Sequence, residues 1–356
     1  MARDTGGNVA SGLIVVDKPG GLTSHDVVAR VRRLAGTRRV GHAGTLDPMA
    51  TGVLVVGVEK ATRLLGHLTL TDKEYQATIR LGQATDTGDA EGTITSARPA
   101  GHLTLAQVQA AAAALTGEIQ QVPPAVSAIK VKGRRAYQLA REGTPPVLEP
   151  RPVTVWSFTV QAVRPAQAGS PGPSPGSSPG AAPDGSPGAS PDGGPGDLLD
   201  VDVEVRCSSG TYIRALARDM GDALGVGGHL TSLRRTRVGP YGLSVARTLD
   251  ELASELTVLP LAEAAAEAFP VRHLTAEQAN SLSHGGRLPG LGGAAGLGEA
   301  AGLGGAAGPG EEAGLGETGG PSETGGPVAA FAPDGTLIAL IQEKDGVARP
   351  LAVFVP

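Results

Sequence analysis

The sequence predicts an α+β fold, because short apolar strands and helices follow one another without the regular βαβ alternation of a doubly wound sheet. Hydrophobic residues make up 40% of the 356 residues but aromatic residues only 3%, so a sizeable core must consist of Val, Leu, Ile and Ala. Two low-complexity segments, residues 167–196 and 290–327, interrupt the ordered sequence. We interpret both as disordered insertions in surface loops, because sequence rich in Gly, Pro, Ser or Ala buries too little apolar surface to offset its ordering entropy.

Apolar periodicity and capping residues predict the individual elements. The first helix has its cap at Thr23 or Ser24 and ends at Gly36, and its apolar residues recur every three or four positions. Further helices are predicted at residues 60–68, 105–115, 135–141 and 212–224, with two more within 249–269. Strands are predicted at residues 12–16, 52–58, 74–81, 153–160, 199–206 and 229–238, and in a small C-terminal unit at 328–331, 337–342 and 351–355. The two strands that flank segment 167–196 are expected to form a hairpin.

Several classes of protein are disfavoured by what the sequence lacks. A single cysteine, Cys207, excludes an internal disulfide and a metal site built from several cysteines. The seven histidines are scattered, and neither a Walker A sequence nor a strand–GxGxxG–helix unit is present, so we expect no catalytic metal and no nucleotide cofactor. No stretch approaches the roughly 18 apolar residues of a membrane span, and the polar N-terminus does not resemble a signal peptide. We therefore expect a soluble, cytoplasmic protein.

The formal net charge of −5 conceals a basic remainder. Segments 167–196 and 290–327 contain seven acidic residues and no Lys or Arg, so the rest of the chain has 30 basic and 28 acidic residues. Arginines concentrate in two places, with five in residues 28–40 and seven in residues 206–247. Such clusters are typical of surfaces that bind a phosphate backbone. A solvated surface is the better explanation of any single cluster, but several clusters in one chain favour RNA.

The segment most informative about chemistry is GHAGTLDPMATGVL, residues 41–54. Its glycines at 41, 44 and 52 are expected to let the backbone lie close to a ligand, and Pro48 biases Asp47 away from helical conformation. A carboxylate held on such a loop, just before an apolar strand, can act as a nucleophile or a base. An ordinary Asp-Pro turn, with Asp47 bonded to its own backbone, explains the same residues. Composition alone does not decide between the two interpretations.

The same segment closely resembles the catalytic motif of the TruB-type pseudouridine synthases, the bacterial tRNA pseudouridine-55 synthases. Further segments resemble the other motifs of this family, in family order: GLIVVDKPGGLTSHDVV, KEYQATIRLGQATDTGDAEG, VPPAVSAIKVKGRRAYQLAREG, CSSGTYIRALARDMGDAL and HLTSLRRTRVGPY. Together they span about residues 12–250, except for segment 167–196. The resemblance implies a pseudouridine synthase catalytic domain over residues 1–250, with a mixed, largely antiparallel sheet flanked by helices and loops.

The resemblance also implies an activity, the isomerisation of uridine-55 in the T-loop of tRNA to pseudouridine after the base has been flipped out. The reaction breaks the N1–C1′ bond and rejoins the base through C5 without net redox change, which agrees with an enzyme that uses no cofactor. We expect the T-arm of tRNA as the partner, and a monomeric enzyme. The alternative is a non-catalytic tRNA-binding or folding protein on the same scaffold. A glycosidase or phosphotransferase is disfavoured, because the sequence offers no second positioned carboxylate and no phosphoaspartyl motif.

The family motifs assign catalytic roles to three residues. Asp47 is implied as the nucleophile or base, and Arg214 as the cation that pairs with it and favours its charged form. Tyr75 is implied to stack on the target base and is a candidate for proton transfer at C5. Without the motifs, Arg214 is equally explained by a surface salt bridge or phosphate contact, and Tyr75 by a half-buried strand aromatic. Asp86 and Asp89 are interpreted as loop-capping acids.

Substrate contacts are implied for five further residues. His42 is implied to stack in the space that the flipped base vacates, although a hydrogen-bonded loop histidine is the structural alternative. Tyr212 and Leu233 are implied to border the uracil in the pocket. Lys18 and Lys130 match family positions near the pocket, with roles that are either structural or directed at phosphates.

The rest of the chain, residues 251–356, is predicted to form a helical connector and a small β domain that segment 290–327 interrupts. This unit resembles a shortened PUA-like RNA-binding domain. The resemblance implies contacts with tRNA, although no clear basic cluster is present there.

Overall fold

The computed structural model describes residues 9–124, 126–127, 148–166, 197–290 and 325–355, and the backbone of residues 130–131 and 134–135. The predicted disorder of segment 167–196 and of most of segment 290–327 concerns residues outside this description. The helix predicted at 135–141 also lies outside it, apart from its first residue.

The described part of the chain contains helices and strands in the following order. The helices are α1 (Ser24–Ala35), α2 (Leu65–Leu68), α3 (Leu105–Ala114), α4 (Ile213–Ala223), α5 (Leu249–Ser254), α6 (Leu261–Ala268) and α7 (Ala276–Ser283), with a 3₁₀-helix at Glu59–Arg63. The strands are β1 (Gly12–Lys18), β2 (Val40–Ala43), β3 (Thr51–Val58), β4 (Lys73–Leu81), β5 (Gln83–Thr85), β6 (Ile94–Ala97), β7 (Gly117–Gln121), β8 (Lys130–Val131), β9 (Arg134–Arg135), β10 (Arg151–Pro165), β11 (Leu199–Cys207), β12 (Gly228–Val238), β13 (Tyr241–Gly242), β14 (Leu259–Pro260), β15 (Val271–His273), β16 (Leu288–Pro289), β17 (Val328–Phe331), β18 (Leu337–Lys344) and β19 (Val347–Val353).

A ten-stranded central sheet has the order β14-β1-β3-β12-β4-β11-β10-β7, with β2 beside β3 and β13 beside β12. Its strand pairs are antiparallel except β12 and β3, which run parallel where Arg234 pairs with Thr51 and Arg235 with Gly52. Strands β10 and β11 form the hairpin predicted on either side of segment 167–196. A mixed, largely antiparallel sheet with flanking helices confirms the α+β prediction.

Helix α1 forms where its capping residues predict it. The hydroxyl of Thr23 accepts a hydrogen bond from the N–H of Asp26, and the Asp26 carboxylate accepts one from the N–H of Thr23, so two unpaired helix donors are satisfied. Gly36 ends the helix in the left-handed conformation, with φ of 67°. Val27 and Val31 are fully buried, which directs the charged face of the helix outward.

Strands β1 and β3 are covered on both faces. On one face, Ile14 and Val56 belong to a core cluster that also contains residues of α1, α3 and α4. On the other, Leu13 and Val55 pack with α2, α6 and the C-terminal sheet, whose order is β15-β17-β18-β19-β16. The loop between β2 and β3 therefore leaves from a rigid part of the sheet.

Two element predictions near this region are wrong in detail. Residues 41–43, predicted as loop, belong to β2, which pairs with β3. The helix predicted at residues 60–68 is a 3₁₀-helix followed by the short α2. The N–H of Leu64 bonds the carbonyl of Ala61, three residues back, which interrupts the α-helical pattern.

The last predicted strand is also displaced. The sequence predicted residues 351–355, whereas β19 begins at Val347. Asp345 and Gly346 both have positive φ, of 55° and 70°, and form a two-residue turn between β18 and β19. Asp-Gly is a favoured sequence for such a turn, so β19 starts directly after it. The helices of the described part include none with the length and apolarity that a bilayer span requires.

Candidate active site

Asp47 lies on the loop between β2 and β3. Ser24, at the start of α1, holds Leu46, the residue before Asp47. The Ser24 hydroxyl accepts a hydrogen bond from the backbone N–H of Leu46 (2.9 Å) and donates one to the carbonyl of the same residue (3.2 Å). Ser24 is buried, so water does not compete for these bonds. The N–H of Ala50 donates to the carbonyl of Asp47 at 3.1 Å, which closes a turn. The predicted Asp-Pro turn is therefore present in the backbone.

Lys18, the last residue of β1, holds the same loop. It is fully buried, and its ammonium group donates to the carbonyls of Pro19 (2.9 Å), Leu22 (2.6 Å) and Pro48 (3.1 Å). Three acceptors take up the three N–H groups of a lysine. Burial lowers the pKa of Lys18 to about 8, and the Asp47 carboxylate opposes that shift. This geometry favours the structural alternative for Lys18 over a contact with phosphate.

Arg235, on β12, holds the loop from the opposite side. Its buried guanidinium donates to the carbonyls of Val53 (2.7 Å), Gly44 (2.9 Å) and Thr45 (3.5 Å). Its backbone lies against Gly52, where an added Cβ would be 2.1 Å from the Arg235 carbonyl oxygen. The prediction that glycine at 52 makes room for a ligand is therefore wrong, because the space is filled by a neighbouring strand.

The carboxylate of Asp47 is paired with Arg214 of α4. The Arg214 Nε atom lies 2.9 Å from one carboxylate oxygen, and Nη2 lies 3.2 Å from the other. The other N–H groups donate to the carbonyls of Thr87 (2.7 Å) and Val126 (2.8 Å), and Nη1 lies 3.5 Å from a carboxylate oxygen of Asp89. The Arg214 side chain is 5% exposed, whereas that of Asp47 is 35% exposed. The buried guanidinium is thus fixed in place, whereas the Asp47 carboxylate that it holds remains partly exposed.

The open side of Asp47 borders a cavity of about 240 Å³. Tyr75 on β4, Leu233 on β12 and Tyr212, the residue before α4, line the same cavity. Burial raises the pKa of both tyrosines above the ordinary value of 10, so their hydroxyl groups are neutral at physiological pH. The cavity thus combines one accessible carboxylate with aromatic and apolar walls, an arrangement that suits a planar, uncharged base.

Comparison with known proteins identifies the family. The model of the TruB family pseudouridylate synthase N-terminal domain matches residues 32–170, the model of the tRNA pseudouridylate synthase B C-terminal domain matches residues 214–267, and that of the tRNA pseudouridine synthase II C-terminal region matches residues 315–355. The tRNA pseudouridine synthase B of Thermobifida fusca is 54% identical over 346 residues, which cover 97% of this chain and 99% of that protein. The chain belongs to the TruB family of pseudouridylate synthases.

A second TruB-family relative, the tRNA pseudouridine synthase B of Streptomyces coelicolor, is 53% identical over 96% of this chain and 97% of its own length. Among solved structures, the crystal structure of a Cbf5-Nop10-Gar1 complex contains a chain that is 24% identical, with a TM-score of 0.63 over 97% of this chain and 85% of that one. This structural likeness shows a shared fold. The predicted family and the predicted enzyme class, an isomerase that forms pseudouridine, are therefore confirmed.

The structure brings together five of the eight predicted site residues around the cavity. They are Asp47, Tyr75, Tyr212, Arg214 and Leu233. Their roles in substrate binding and catalysis stay predictions, but all five meet in one place although they come from four separate segments of the chain.

Of the other three predicted site residues, Lys18 and His42 are not among the described residues that line this cavity. Lys18 lies beneath the loop, as described above. His42, on β2, is half-buried, and its ring meets the ring of His25 edge to face at 5.5 Å. Lys130 is in β8, and its side chain lies outside the described part of the structure. The predicted substrate contacts of these three residues stay predictions.

Sequence reasoning did not single out several residues that shape the site. Lys73 and Ser127 line the cavity, and Arg235 supports its loop. The side chain of Gln121 forms two hydrogen bonds with the backbone of Tyr212, of 2.8 and 3.2 Å. Asp89 caps its own loop as predicted, through the N–H of Glu91, but it also faces Arg214. Lys73, Ser127 and Arg235 all lie within the family-like motifs, so a systematic reading of buried polar residues in those motifs would have found them.

Proposed function

We propose that the protein converts uridine-55 in the T-loop of tRNA to pseudouridine, without a cofactor, with Asp47 as its essential carboxylate. The observation that carries this proposal is the pairing of an accessible Asp47 carboxylate with a buried Arg214 at the wall of a base-sized cavity. The cavity, at about 240 Å³, is somewhat smaller than the roughly 300 Å³ at which pockets for drug-sized ligands begin. It therefore suits a single nucleotide that has left its loop.

The proposed reaction needs one carboxylate and one proton relay. The N1–C1′ bond breaks, the base turns, C5 bonds to C1′, and the proton that C5 carried is replaced by one on N1. The Asp47 carboxylate either attacks C1′ or removes a proton from the sugar, and both steps require its ionised form. Arg214 holds the carboxylate through one hydrogen bond from Nη2 and a close ion-pair contact from Nε, and so orients it toward the cavity.

We assign the remaining walls of the cavity to the base. In this assignment Tyr75 stacks on the uracil and is the candidate for proton transfer at C5, while Tyr212 and Leu233 close the pocket around the base. Burial raises the pKa of Tyr75, so its neutral hydroxyl can relay the C5 proton only if it gives up its own proton as it accepts that one. Flipping the uridine out of its stack costs a few kcal/mol, and we assign to His42 the filling of the space it leaves. Lys130 is assigned to the RNA backbone.

We divide the chain into a catalytic domain, residues 1–250, and a C-terminal connector with an RNA-binding domain, residues 251–356. The T-arm of tRNA would contact both. We propose a monomeric enzyme, and we place its activity in the cytoplasm, where tRNA is modified. The alternative of a non-catalytic tRNA-binding protein does not require an accessible carboxylate held by a buried arginine.

The proposal is tested by comparing the wild type with Asp47→Asn on unmodified tRNA. The wild type is expected to form one pseudouridine per tRNA at position 55, mapped by mass spectrometry of nuclease fragments. Asp47→Asn keeps the shape of the side chain but removes the charge, and we expect its kcat to fall by roughly a thousandfold or more. Its Kd for tRNA should stay within about threefold, because phosphate contacts supply most of the affinity.

Asp250→Asn is the matched control. It makes the same chemical change at an exposed position on α5, away from the cavity, and should leave turnover unchanged. A wild type that binds tRNA and forms no pseudouridine would establish the non-catalytic alternative. Pseudouridine at another position would refute the assignment of uridine-55, and wild-type turnover by Asp47→Asn would refute the role of Asp47.

A further inference from the structure

The two arginine clusters of the sequence differ in the partners that their side chains have in the structure. In the cluster at residues 206–247, six of the seven arginines are engaged within the protein. Arg235 is bonded to backbone carbonyls, and the other five face carboxylates. These five are Arg206 with Asp72, Arg214 with Asp47, Arg218 with Asp219, Arg234 with Asp17, and Arg237 with Asp72 and Glu74. Most of this positive charge is therefore balanced inside the fold.

The cluster at residues 28–40 is different, because all five of its arginines are exposed. Arg39 has a weak ion pair with Glu59, at 3.5 Å, and its side chain is 78% exposed. Arg32 donates to the carbonyl of Val40. The side chains of three arginines, namely Arg30, Arg33 and Arg38, make neither a hydrogen bond nor an ion pair with any residue that the structure describes. We call these three residues the arginine face.

Helix α1, which carries Arg30 and Arg33, begins beside the candidate active site and runs away from it. Ser24, at the first turn of α1, bonds the residue next to Asp47. At a rise of 1.5 Å per residue, Arg30 lies about 9 Å and Arg33 about 14 Å farther along the helix axis from Ser24. Both are on the outward side of α1, whose opposite side is buried in the core. Arg38 follows just beyond the end of the helix.

We propose that the arginine face binds the phosphates of the RNA strand that flanks the target uridine, an inference that rests on the proposed function. Arginine donors match phosphate oxygens in pairs, and three such side chains without internal partners present a concentrated positive charge. A row of cations that leads away from the cavity can hold the strand on one side of a nucleotide that has been flipped into it. The engaged arginines of the second cluster are not part of this surface.

A structural explanation accounts for only part of this pattern. Basic residues in the last turn of a helix stabilise the helix dipole, and Arg33 lies in that turn of α1. Arg30 precedes the last turn and Arg38 lies outside the helix. The dipole therefore explains neither why these two positions are arginine nor why both side chains are exposed. The positive charge of Arg30 helps to lower the pKa of Asp26, four residues earlier in α1, but the Asp26 carboxylate is hydrogen-bonded in the cap by Thr23.

The test compares two double variants of the full-length protein that lose the same charge. R30Q/R33Q removes two members of the arginine face, and glutamine keeps the helix propensity high. R164Q/R206Q, the control, removes two surface arginines that are paired with Asp202 and Asp72. The Kd for unmodified tRNA is measured from about 50 to about 200 mM KCl, because each lost phosphate contact reduces the slope of log Kd against log salt by roughly 0.7 to 0.9.

We expect R30Q/R33Q to reduce the slope by about 1.5 and to raise Kd on the order of tenfold at low salt, with kcat/KM falling in parallel. R164Q/R206Q should keep the wild-type slope. A wild-type slope in R30Q/R33Q, or an equal reduction in both double variants, would overturn the inference while pseudouridine formation by the wild type still upholds the proposed function. Conversely, a reduced slope in R30Q/R33Q together with an inactive wild type would support the arginine face as an RNA-binding surface and contradict only the proposed function.

Discussion

The guanidinium of Arg214 joins two loops to the carboxylate that we assign to the reaction. Besides Asp47, it contacts the carbonyls of Thr87 and Val126 and the carboxylate of Asp89, which is 4% exposed. A lysine offers one point charge on a flexible stem and could satisfy only some of these acceptors. The direction in which Asp47 points is therefore set by residues from well-separated parts of the chain, and not by its own loop alone.

His42 is a residue beside this site whose ionisation affects stability in the acid range. Burial lowers its pKa to about 4, and the charges of His25 and Arg235 act in the same direction. Its folded pKa is thus below the unfolded value of about 6.5, so the unfolded chain takes up the proton first as pH falls. The stability that neutral His42 contributes is complete above about pH 6.5 and is lost as pH falls toward 4.

We therefore expect the free energy of unfolding to fall less steeply between about pH 7 and pH 4.5 in His42→Gln than in the wild type. Urea denaturation at a series of pH values measures this slope. His102→Gln, at an exposed position, is the control and should keep the wild-type slope. Identical slopes for His42→Gln and the wild type would show that the ring is protonated as easily in the folded protein as in the unfolded chain.

At the scale of elements, the contact between β3 and β12 determines where the Asp47 loop ends. Gly52 has φ of 96°, and a Cβ there would lie 2.1 Å from the Arg235 carbonyl oxygen and 2.9 Å from its N and C atoms. No rotamer relieves a clash with backbone. Gly52→Ala is expected to lower the free energy of unfolding by about 3 kcal/mol, because the two strands must separate.

Urea denaturation measures this loss, and Gly66→Ala is the matched control. Gly66 is exposed within α2, has no positive φ, and an added Cβ would meet nothing within 4 Å. Alanine there should leave stability unchanged or raise it slightly, since it favours the helix. If Gly52→Ala were as stable as Gly66→Ala, the close approach of β12 would not be what requires glycine at position 52.

The elements that the sequence predicted well are those determined by nearby residues. The boundaries of α1 follow from Thr23, Asp26 and Gly36, all within or next to the helix. By contrast, glycine is required at position 52 because β12 passes close to it. The guanidinium of Arg235, on the same strand, bonds the carbonyl of Val53, a residue 182 positions away in the sequence. Contacts of that separation leave no local pattern. The meeting of the five cavity residues was predicted through the family resemblance, because periodicity and composition do not place strands side by side.

At the scale of the whole molecule, the C-terminal sheet is part of the framework of the site. Phe331, Leu340 and Phe354 lie in the same core cluster as Leu13 and Val53, on the face of the sheet opposite α1. The guanidinium of Arg63, in the 3₁₀-helix after β3, also contacts the carbonyl of Val353. The strands that carry the Asp47 loop are thus buried from both sides, by helices of the catalytic part and by the C-terminal unit.

Segment 167–196 connects the two strands of the β10–β11 hairpin, and we expect it to be dispensable for activity. The strands remain paired up to Pro165 and Leu199, and the N–H of Ala166 donates to the carbonyl of Leu198 at 2.9 Å. The ends of the segment are therefore adjacent, and the few residues that remain after deletion of 170–195 can close the hairpin. A shorter loop costs less closure entropy, so we expect the deletion variant to be more stable by about 1 to 2 kcal/mol.

Pseudouridine formation by the deletion variant should stay within about twofold of the wild type, because the described hairpin end lies outside the Asp47 cavity. The deletion also removes two acids and changes the net charge from −5 to −3, which slightly favours tRNA binding. A variant with residues 170–195 replaced by Gly and Ser at equal length has the same charge and so isolates the effect of length. Loss of turnover in both variants would show that the sequence of the segment acts in the reaction, and loss in the deletion variant alone would show that its length does.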